Sequence, residues 1–391
     1  MRKLLGVVAC VVVLVVLIGL TFGPRLLEQS TNKVLEPPPY PIGEAAHKLH
    51  TQLFVADLHA DPLLWNRDLL QESSYGHVDI PRLRRGGIAL QVFDAVTKTP
   101  RGQNYDGNTA DTDNITALAI AQLWPARTWN SLAQRALYEA EKLHDVAARS
   151  NGTFRIIRTK SDLNQLELER QDKTKHPPVT GGLLGIEGLH ALEGDLHNLD
   201  VFYEAGFRIM GLTHFFDNEI GGSAHGTTRG GLSEFGRSVV RRMEGRNILV
   251  DLAHASPQVI DDVLAMATRP LVVSHTGAKG NCDNVRNISD DHLRRIAATG
   301  GVVGIGYWDA AVCDVSVSAI VRAIQYAANV AGAEHVGLGS DFDGATTTPF
   351  DTTGVAQITE GLLVAGVAED DIAKIMGGNV LRVLRETLPD H

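Results

Sequence analysis

The chain has 391 residues, of which 44% are hydrophobic and 21% are charged, a composition ordinary for a folded protein. Its formal net charge of -10 argues against nucleic acid as a partner, because a surface that binds phosphate backbones needs a basic face. The length alone would suit two or three domains or one large one, and the apolar content is sufficient for a large core.

The N-terminus carries an uncharged apolar segment, Leu4–Phe22, directly after Arg2 and Lys3. The segment has 19 residues, and a helix of that length crosses a hydrocarbon core of about 30 Å. It is longer than the core of a typical signal peptide, and no A-x-A cleavage site follows it. We therefore predict a transmembrane anchor over residues 1–23 in preference to a cleaved signal sequence, then a proline-rich linker over 24–45 and a domain over 46–391.

The charges that flank the anchor predict its orientation. Arg2 and Lys3 favour keeping the N-terminal end in the cytoplasm, so the domain is expected on the other side of the membrane. The C-terminal residues (LRVLRETLPDH) form a helical pattern with no hydrophobic tail, so we expect any anchor to be N-terminal. This arrangement fits a bacterial envelope protein facing the periplasm or the cell surface.

From Leu53 onward, short apolar segments rich in Val, Ile, Leu and Gly alternate with amphipathic helical patterns. Such alternation is typical of βα units with a parallel sheet, and continuous apolar strands fit a sheet that is covered on both faces. Eight strands are predicted, the number that closes a TIM-type (β/α)8 barrel. They are Leu53–Leu58, Ile88–Phe93, Leu183–Ile186, Arg208–Thr213, Ile248–Leu252, Leu271–Ser274, Val302–Gly306 and Val336–Ser340.

Histidine and carboxylate residues follow six of these strands. In a TIM barrel the C-terminal ends of all strands converge on one mouth, so these residues are expected to meet in one pocket. They are Asp57 at the end of the first strand with His59 and Asp61 directly after it, Glu187 after the third, His214, His254 and His275 after the fourth to sixth, and Asp341 and Asp343 after the eighth.

Imidazole and carboxylate together are the ligand set of zinc and similar divalent ions. His59 and Asp61 are two residues apart and can turn toward one ion where the strand ends, and His254 and His275 can share another. Glu187 can bridge two ions about 3.5 to 4 Å apart. One such histidine alone would more often be structural, but six strand ends that carry ligand residues indicate a metal site.

Other chemistries receive less support from the sequence. There is no G-x-S-x-G motif and no phosphate-binding glycine loop, which disfavours covalent serine chemistry and nucleotide binding. Cys282 and Cys313 could form one disulfide in an oxidising compartment or remain two buried thiols, and their spacing leaves both open. Asp57 and Asp343 could orient imidazoles that bind the metal.

The motifs at the strand ends resemble those of the membrane dipeptidase family, also called renal dipeptidases, which are zinc metallopeptidases. The resemblance runs from about Leu53 to Glu386, and the motifs occur in order. They are DLHAD (57–61), GIEGLH (185–190), LTH (212–214), DLAHAS (251–256), SHT (274–276), RNISDD (286–291), GSDFDG (339–344) and GGNVLRV (377–383).

The resemblance implies a (β/α) barrel with two zinc ions that hydrolyses dipeptides. His59 and Asp61 would hold one zinc, His254 and His275 would hold the other, and Glu187 would bridge both. A hydroxide between the two ions would then be the nucleophile, since bound metal lowers the pKa of water toward about 7.

The same resemblance implies roles for three further residues. His214 would contact the substrate and its tetrahedral intermediate, Arg286 would bind the carboxylate of the substrate, and Asp341 would bind substrate and exchange the proton. Pairing of Cys282 with Cys313 and a homodimer are also implied. A tyrosine that helps to hold substrate in animal relatives has no clear match at DAAVCD (309–314), and Tyr307 is the nearest candidate.

Two other functions are compatible with parts of this pattern. A binuclear metal amidohydrolase that acts on another amide, a lactone or an N-acyl amino acid would use the same barrel and metals. Classical amidohydrolases, however, begin with His-x-His, whereas this chain has His59-x-Asp61. A non-catalytic binding protein that kept the fold would be expected to lose ligand residues, and all five ligand types are present.

Overall fold

A computed structural model describes residue 19, residues 22–172 and residues 178–390, and eight parallel strands within these ranges form a closed barrel. Each strand pairs with its neighbours in chain order, and the eighth pairs with the first. The strands are β1 Val55–Asp57, β2 Ile88–Val96, β3 Thr180–Glu187, β4 Phe207–Gly211, β5 Leu249–Asp251, β6 Val272–Thr276, β7 Val302–Ile305 and β8 Val336–Leu338. The TIM-type α/β fold is thus confirmed.

The predicted strands differ from the observed ones mainly at their ends. Strand β3 begins at Thr180, three residues before the predicted start at Leu183. Its first residues include Gly181 and Gly182, where an added Cβ would lie 2.6 Å from a methyl carbon of Leu166 and 2.3 Å from the ring of Phe154. These glycines therefore serve close packing inside a strand, although glycine in a sequence more often indicates a loop.

Helices on the outside of the barrel connect the strands. Several begin after a serine whose hydroxyl satisfies an open amide of the first turn; Ser233 accepts from the backbone amide of Gly236, and Ser289 accepts from that of His292. The helices are Glu44–His50, Ile80–Arg85, Asn114–Ala121, Leu132–Arg149, Lys160–Gln171, His197–Ala205, Glu234–Gly245, Pro257–Leu264, Asp290–Ala298, Asp309–Val312, Val317–Ala331, Ala356–Val364, Glu369–Ala373 and Asn379–Thr387.

Apolar side chains fill the end of the barrel at which the strands begin. Leu249, Val272 and Val302, at or near the starts of β5, β6 and β7, belong to one buried cluster with Val380 and Leu384 of the C-terminal helix. This end of the barrel is therefore closed by apolar packing. The polar residues that follow the strands lie at the opposite mouth, because they come after the C-terminal ends of the strands.

The long connection between β2 and β3 is part of the barrel domain. Its strand Phe154–Ile156 pairs in parallel with the beginning of β3. Earlier in the same connection, Ile115 and Leu118 pack with Leu64, Trp65 and Val96 beside the barrel mouth. The connection therefore contributes side chains to the surroundings of the mouth.

Residues 22–36 precede the barrel and lie against it. Residues 22–31 are helical, and the short strand Lys33–Val34 pairs in parallel with Thr347–Thr348. Within the described ranges, no helix combines the length and the apolar character needed to cross a bilayer. The predicted anchor over residues 1–23 falls almost entirely outside those ranges.

A disulfide joins Cys282 to Cys313, whose Cα atoms are 5.5 Å apart. It connects the loop after β6 to the segment after β7, and the Cys282 side of the bridge is buried. The loop that it holds also carries Arg286. The pairing that the residue spacing left open is therefore present.

Candidate metal centre

The five predicted metal ligands converge at the C-terminal mouth, with Glu187 at their centre. Its Oε1 atom lies 3.0 Å from Nε2 of His254, 3.4 Å from Nε2 of His275 and 3.6 Å from Nε2 of His59. Asp61 completes the set, since its Oδ1 is 3.4 Å from Nε2 of His59. One carboxylate thus faces three imidazole nitrogens that come from three different strand ends.

The arrangement fits a bound cation. The triplet of Glu187, His254 and His275 and the triplet of His59, Asp61 and Glu187 each place one ligand atom per residue within 4.8 Å of one another. The Nε2 atoms of His254 and His275 are 3.0 Å apart, and Oδ1 of Asp61 is buried without a hydrogen-bond partner among the described residues. Converging nitrogen and oxygen lone pairs are the expected geometry of a metal-binding pocket.

A third triplet brings Asp341 into the same cluster, together with His59 and His275. Its Oδ1 is 3.9 Å from Nε2 of His59. The buried carboxylates of Asp61 and Glu187 and the half-buried carboxylate of Asp341 are therefore concentrated in one small volume. Carboxylates concentrated in this way need compensating positive charge, which a divalent ion would supply.

Burial also sets the ionisation of the ligands. It lowers the pKa of His254 and His275 well below the ordinary value, so both imidazoles are neutral, the form that binds metal. It raises the pKa of Glu187 well above the ordinary value, and the neighbouring charge of Asp61 adds to this shift. For His59, burial opposes protonation, but the carboxylates around it outweigh burial and raise the pKa.

Asp94, which the sequence analysis missed, orients one of the imidazoles. Its Oδ2 lies 3.1 Å from Nδ1 of His59, so the Nε2 atom of that ring faces the ligand cluster. Carboxylate partners of this kind fix the tautomer of a metal-binding histidine. The available signal was an aspartate inside the otherwise mostly apolar strand IALQVFDAV.

Asp57 and Asp343 do not orient metal-binding imidazoles as expected. Oδ1 of Asp57 accepts from the backbone amides of His59 and Ser340, so it holds two strand ends together. Asp343 accepts from Arg67 at 2.5 Å and from the backbone amide of His77 at 2.6 Å. Both carboxylates are therefore occupied by hydrogen bonds and ion pairs that hold loops and strand ends in place. The spacing of residues in the sequence does not reveal these contacts.

Two cluster residues adopt backbone conformations that are rare for residues other than glycine. His254 has φ of 61° and Asp341 has φ of 59°, both in the left-handed region. Such conformations cost roughly 1 to 3 kcal/mol and persist where the surrounding structure enforces them, often at functional sites. Here they occur immediately after β5 and β8, where the chain presents side chains at the mouth.

The residues expected to act on substrate border the same cluster. His214 places Nε2 at 3.1 Å from Oε2 of Glu187. Arg286 donates from Nη2 to the carbonyl of His275 at 2.7 Å, and its guanidinium lies 5.3 Å from the ring centre of Trp308. Burial raises the pKa of Asp341 to about 8.

A cleft of about 640 Å³ opens over the cluster. His214, Arg286 and Asp341 all line it. Tyr105 and Trp308 also line it, and Nε1 of Trp308 donates to the Tyr105 hydroxyl at 3.1 Å. The sequence analysis singled out neither residue. Tyr105 lies in a polar loop far from any strand end.

Tyr307 does not take the position of the expected substrate-holding tyrosine. Its side chain is fully buried and packs against Phe342 and Phe350. The residue directly after it, Trp308, reaches the cleft instead. Alternation of side chains along an extended chain accounts for the difference, because adjacent residues point to opposite sides.

Comparison with known proteins assigns the family. Residues 43–389 match the family model described as membrane dipeptidase, peptidase family M19. The chain belongs to the membrane dipeptidase family. It is 29% identical over 359 residues to the dipeptidase aclJ of Aspergillus oryzae, a match that covers 85% of this chain and 78% of that protein.

Solved structures of similar proteins share the fold of this chain. A metallopeptidase from Rhodobacter sphaeroides, solved with a phosphinate mimic of the dipeptide L-Ala-D-Ala, is 25% identical with a TM-score of 0.70, over 86% of this chain and 99% of that one. The probable dipeptidase PvdM of Pseudomonas aeruginosa shares the fold at 18% identity, with a TM-score of 0.73 over 88% and 98% of the two chains. This member of the membrane dipeptidase family is thus a peptide-bond hydrolase with a candidate metal centre at the barrel mouth.

Proposed function

We propose that this membrane dipeptidase is a zinc enzyme that hydrolyses dipeptides, including those with a D-residue at the second position, with two zinc ions in the cluster. The observation that carries the proposal is that one oxygen of Glu187, Oε1, lies within 3.6 Å of the Nε2 atoms of His254, His275 and His59. In this assignment His59 and Asp61 would hold one ion, His254 and His275 would hold the other, and Glu187 would serve as a ligand to both.

Bound zinc would supply a Lewis acid for the scissile carbonyl and would make hydroxide available near neutral pH. His214 is assigned to the oxyanion, because it lines the cleft beside Glu187. Burial lowers the pKa of His214 well below the ordinary value, so a neutral ring faces the substrate. A positioned donor of this kind typically contributes roughly 3 to 4 kcal/mol to a transition state.

Asp341 is assigned to proton transfer. It lies at the edge of the ligand cluster and lines the cleft, so it can reach both the attacking water and the departing amine. A pKa near the working pH suits a group that first takes a proton and then returns it, and burial raises the pKa of Asp341 to about 8.

Arg286 is assigned to the free carboxylate of the substrate. Its planar fork suits bidentate binding of a carboxylate, and its hydrogen bond to the carbonyl of His275 leaves further donors available. A carboxylate held next to the metal ligands would restrict the enzyme to short peptides. The dipeptide mimic bound to the Rhodobacter sphaeroides relative supports a dipeptide as the substrate class.

We also propose that residues 1–23 anchor the protein in a bacterial membrane, with the catalytic domain in the periplasm or at the cell surface. The disulfide between Cys282 and Cys313 supports an oxidising compartment. Protease accessibility of the domain in intact spheroplasts tests this location. Light scattering of the purified chain tests the homodimer that the family resemblance suggests.

The decisive experiment is metal analysis of the full chain in detergent, combined with hydrolysis of L,L- and L,D-dipeptides before and after chelation. We expect close to two zinc ions per chain and cleavage of dipeptides, but not tripeptides, that chelation abolishes and zinc restores. Two zinc ions without dipeptide cleavage would favour an amidohydrolase of another amide, a lactone or an N-acyl amino acid. A chain that binds no zinc would contradict the proposal.

A further inference from the structure

The segment before the family domain forms part of the wall of the active-site cleft. The family match begins at residue 43, whereas helical residues 22–31 and the strand Lys33–Val34 lie upstream of it. The strand pairs with Thr347–Thr348, and Oδ1 of Asn32 accepts from the backbone amide of Ala345 at 2.8 Å. The segment is therefore attached to the loop that carries Asp341.

A buried chain of charges fixes the helical part of the segment. Glu28 is only 2% exposed, and its carboxylate accepts from Nε of Arg67. Arg67 in turn donates from Nη2 to Asp343 at 2.5 Å. Asp343 lies two residues after Asp341, so this network connects residues 22–31 to the catalytic loop through side chains that solvent barely reaches.

One face of this helical segment borders the cleft. Gly23, Leu27 and Thr31 all line it, and their spacing of four residues places them on the same helix face. Leu27 is the large apolar side chain of this face, and it is 46% exposed although its neighbour Glu28 is buried. An apolar group is thus presented to the same cavity that contains the metal ligands.

Apolar residues of the barrel domain line the cleft together with Leu27. Leu64, Trp65, Ile115 and Leu118 belong to one packed cluster, and all four border the cavity. The residues near Arg286 form a different group, in which Trp308 contacts both Arg286 and Tyr105. The cleft therefore has an apolar wall as well as a cationic and aromatic one.

We propose that Leu27 and this apolar cluster form the subsite for the side chain of the N-terminal residue of the substrate, so that the enzyme prefers dipeptides with a large apolar first residue. The inference rests on the proposed function. If Arg286 holds the carboxylate of the dipeptide, and Glu187 and Asp341 lie at the scissile bond, the side chain of the first residue remains to contact the apolar wall. An uncharged wall favours an apolar side chain, because an apolar side chain buried there leaves water and no polar group loses a hydrogen-bond partner.

The test compares two leucines of the same helix in the full chain. Leu27→Ser removes apolar surface from the cleft, whereas Leu26→Ser removes it from a residue that is 62% exposed and does not line the cleft. The substrates are Leu-Ala and Gly-Ala, which differ only in the first side chain. We expect Leu27→Ser to lower kcat/KM for Leu-Ala about tenfold and to leave Gly-Ala within about twofold, with Leu26→Ser like the parent for both.

The possible outcomes separate the inference from the proposed function. Equal losses on both dipeptides, or no loss on Leu-Ala, would overturn the subsite while the parent still cleaves both. A parent chain that cleaves no dipeptide would remove the proposed function, and the subsite with it. Leu27→Trp is a second variant in the opposite direction, since a larger side chain should exclude Leu-Ala and spare Gly-Ala. Unfolding midpoints equal to that of the parent confirm that each variant is folded.

Discussion

Oδ2 of Asp94 lies 3.1 Å from Nδ1 of His59, and this contact decides which ring nitrogen faces the metal ligands. Asp94→Asn keeps the shape but removes the charge that favours the Nδ1–H tautomer. We expect zinc affinity to fall about 10- to 100-fold, because partners of metal-binding histidines have effects of this size. Competition with a chelating dye measures it. Asp145→Asn, at an exposed position, is the control, and an unaltered affinity would show that Asp94 does not orient His59.

Asp341 separates proton transfer from metal binding. Asp341→Asn should retain the zinc content of the parent and lose turnover by about 10²- to 10⁴-fold, the usual range for a general acid or base. Zinc content and kcat are measured on the same preparation. Turnover equal to that of the parent would remove Asp341 from the reaction, and loss of zinc would assign it to metal binding instead.

Arg286 distinguishes carboxylate recognition from simple positive charge. Arg286→Lys keeps the charge but loses the planar fork, so we expect a higher KM for dipeptides by about tenfold and a smaller change in kcat. The control substrate is the corresponding dipeptide amide, which has no carboxylate and should be cleaved equally by variant and parent. An equal rise in KM for the acid and the amide would contradict the assignment.

The disulfide between Cys282 and Cys313 is expected to contribute to stability and to the position of Arg286. Replacing both cysteines by serine should lower the free energy of unfolding by about 2 to 4 kcal/mol, because the cross-link restricts the unfolded chain. Denaturant unfolding measures this change. Alkylation of the parent, which has Cys10 as a third cysteine, should add two more labels after reduction than before it. Equal numbers of labels before and after reduction would show that the bond does not form.

His50 predicts a pH dependence of stability. Its ring nitrogens lie 2.8 Å from the Thr359 hydroxyl and 3.0 Å from the carbonyl of Gly86, and burial lowers its pKa from the ordinary value of 6.5. As pH falls below about 6.5, the unfolded chain takes up a proton that the folded one does not, so stability decreases.

His50→Gln cannot take up that proton. The free energy of unfolding of this variant should therefore fall less between pH 8 and pH 5 than that of the parent. Denaturant unfolding at the two pH values provides the comparison. Subtracting the pH-dependent change in the parent from that in the variant cancels the contributions of other groups. Equal decreases in the two proteins would show that His50 contributes nothing to the pH dependence.

The sequence by itself was sufficient for the barrel and for most of the candidate site. Strand patterns are local, and β1 to β8 lie where apolar segments alternate with helical ones. The position of a residue at the end of a strand is also local. Because all strand ends of a parallel barrel meet at one mouth, His59, Glu187, His254 and His275 could be grouped without knowing any distance.

Only the tertiary structure decided which side chains complete the site. Asp94, Tyr105 and Trp308 reach it through contacts between residues far apart in the chain. No local pattern marks Tyr105 or Trp308, and the only local signal for Asp94 is a carboxylate within a mostly apolar strand. The same holds for residues 22–36, which sequence composition assigned to an anchor and a linker. Their place beside Asp341 depends on the buried contacts of Glu28 with Arg67 and of Arg67 with Asp343, which lie 39 and 276 positions apart in the chain. Such contacts arise only when the closed barrel brings its loops to one mouth.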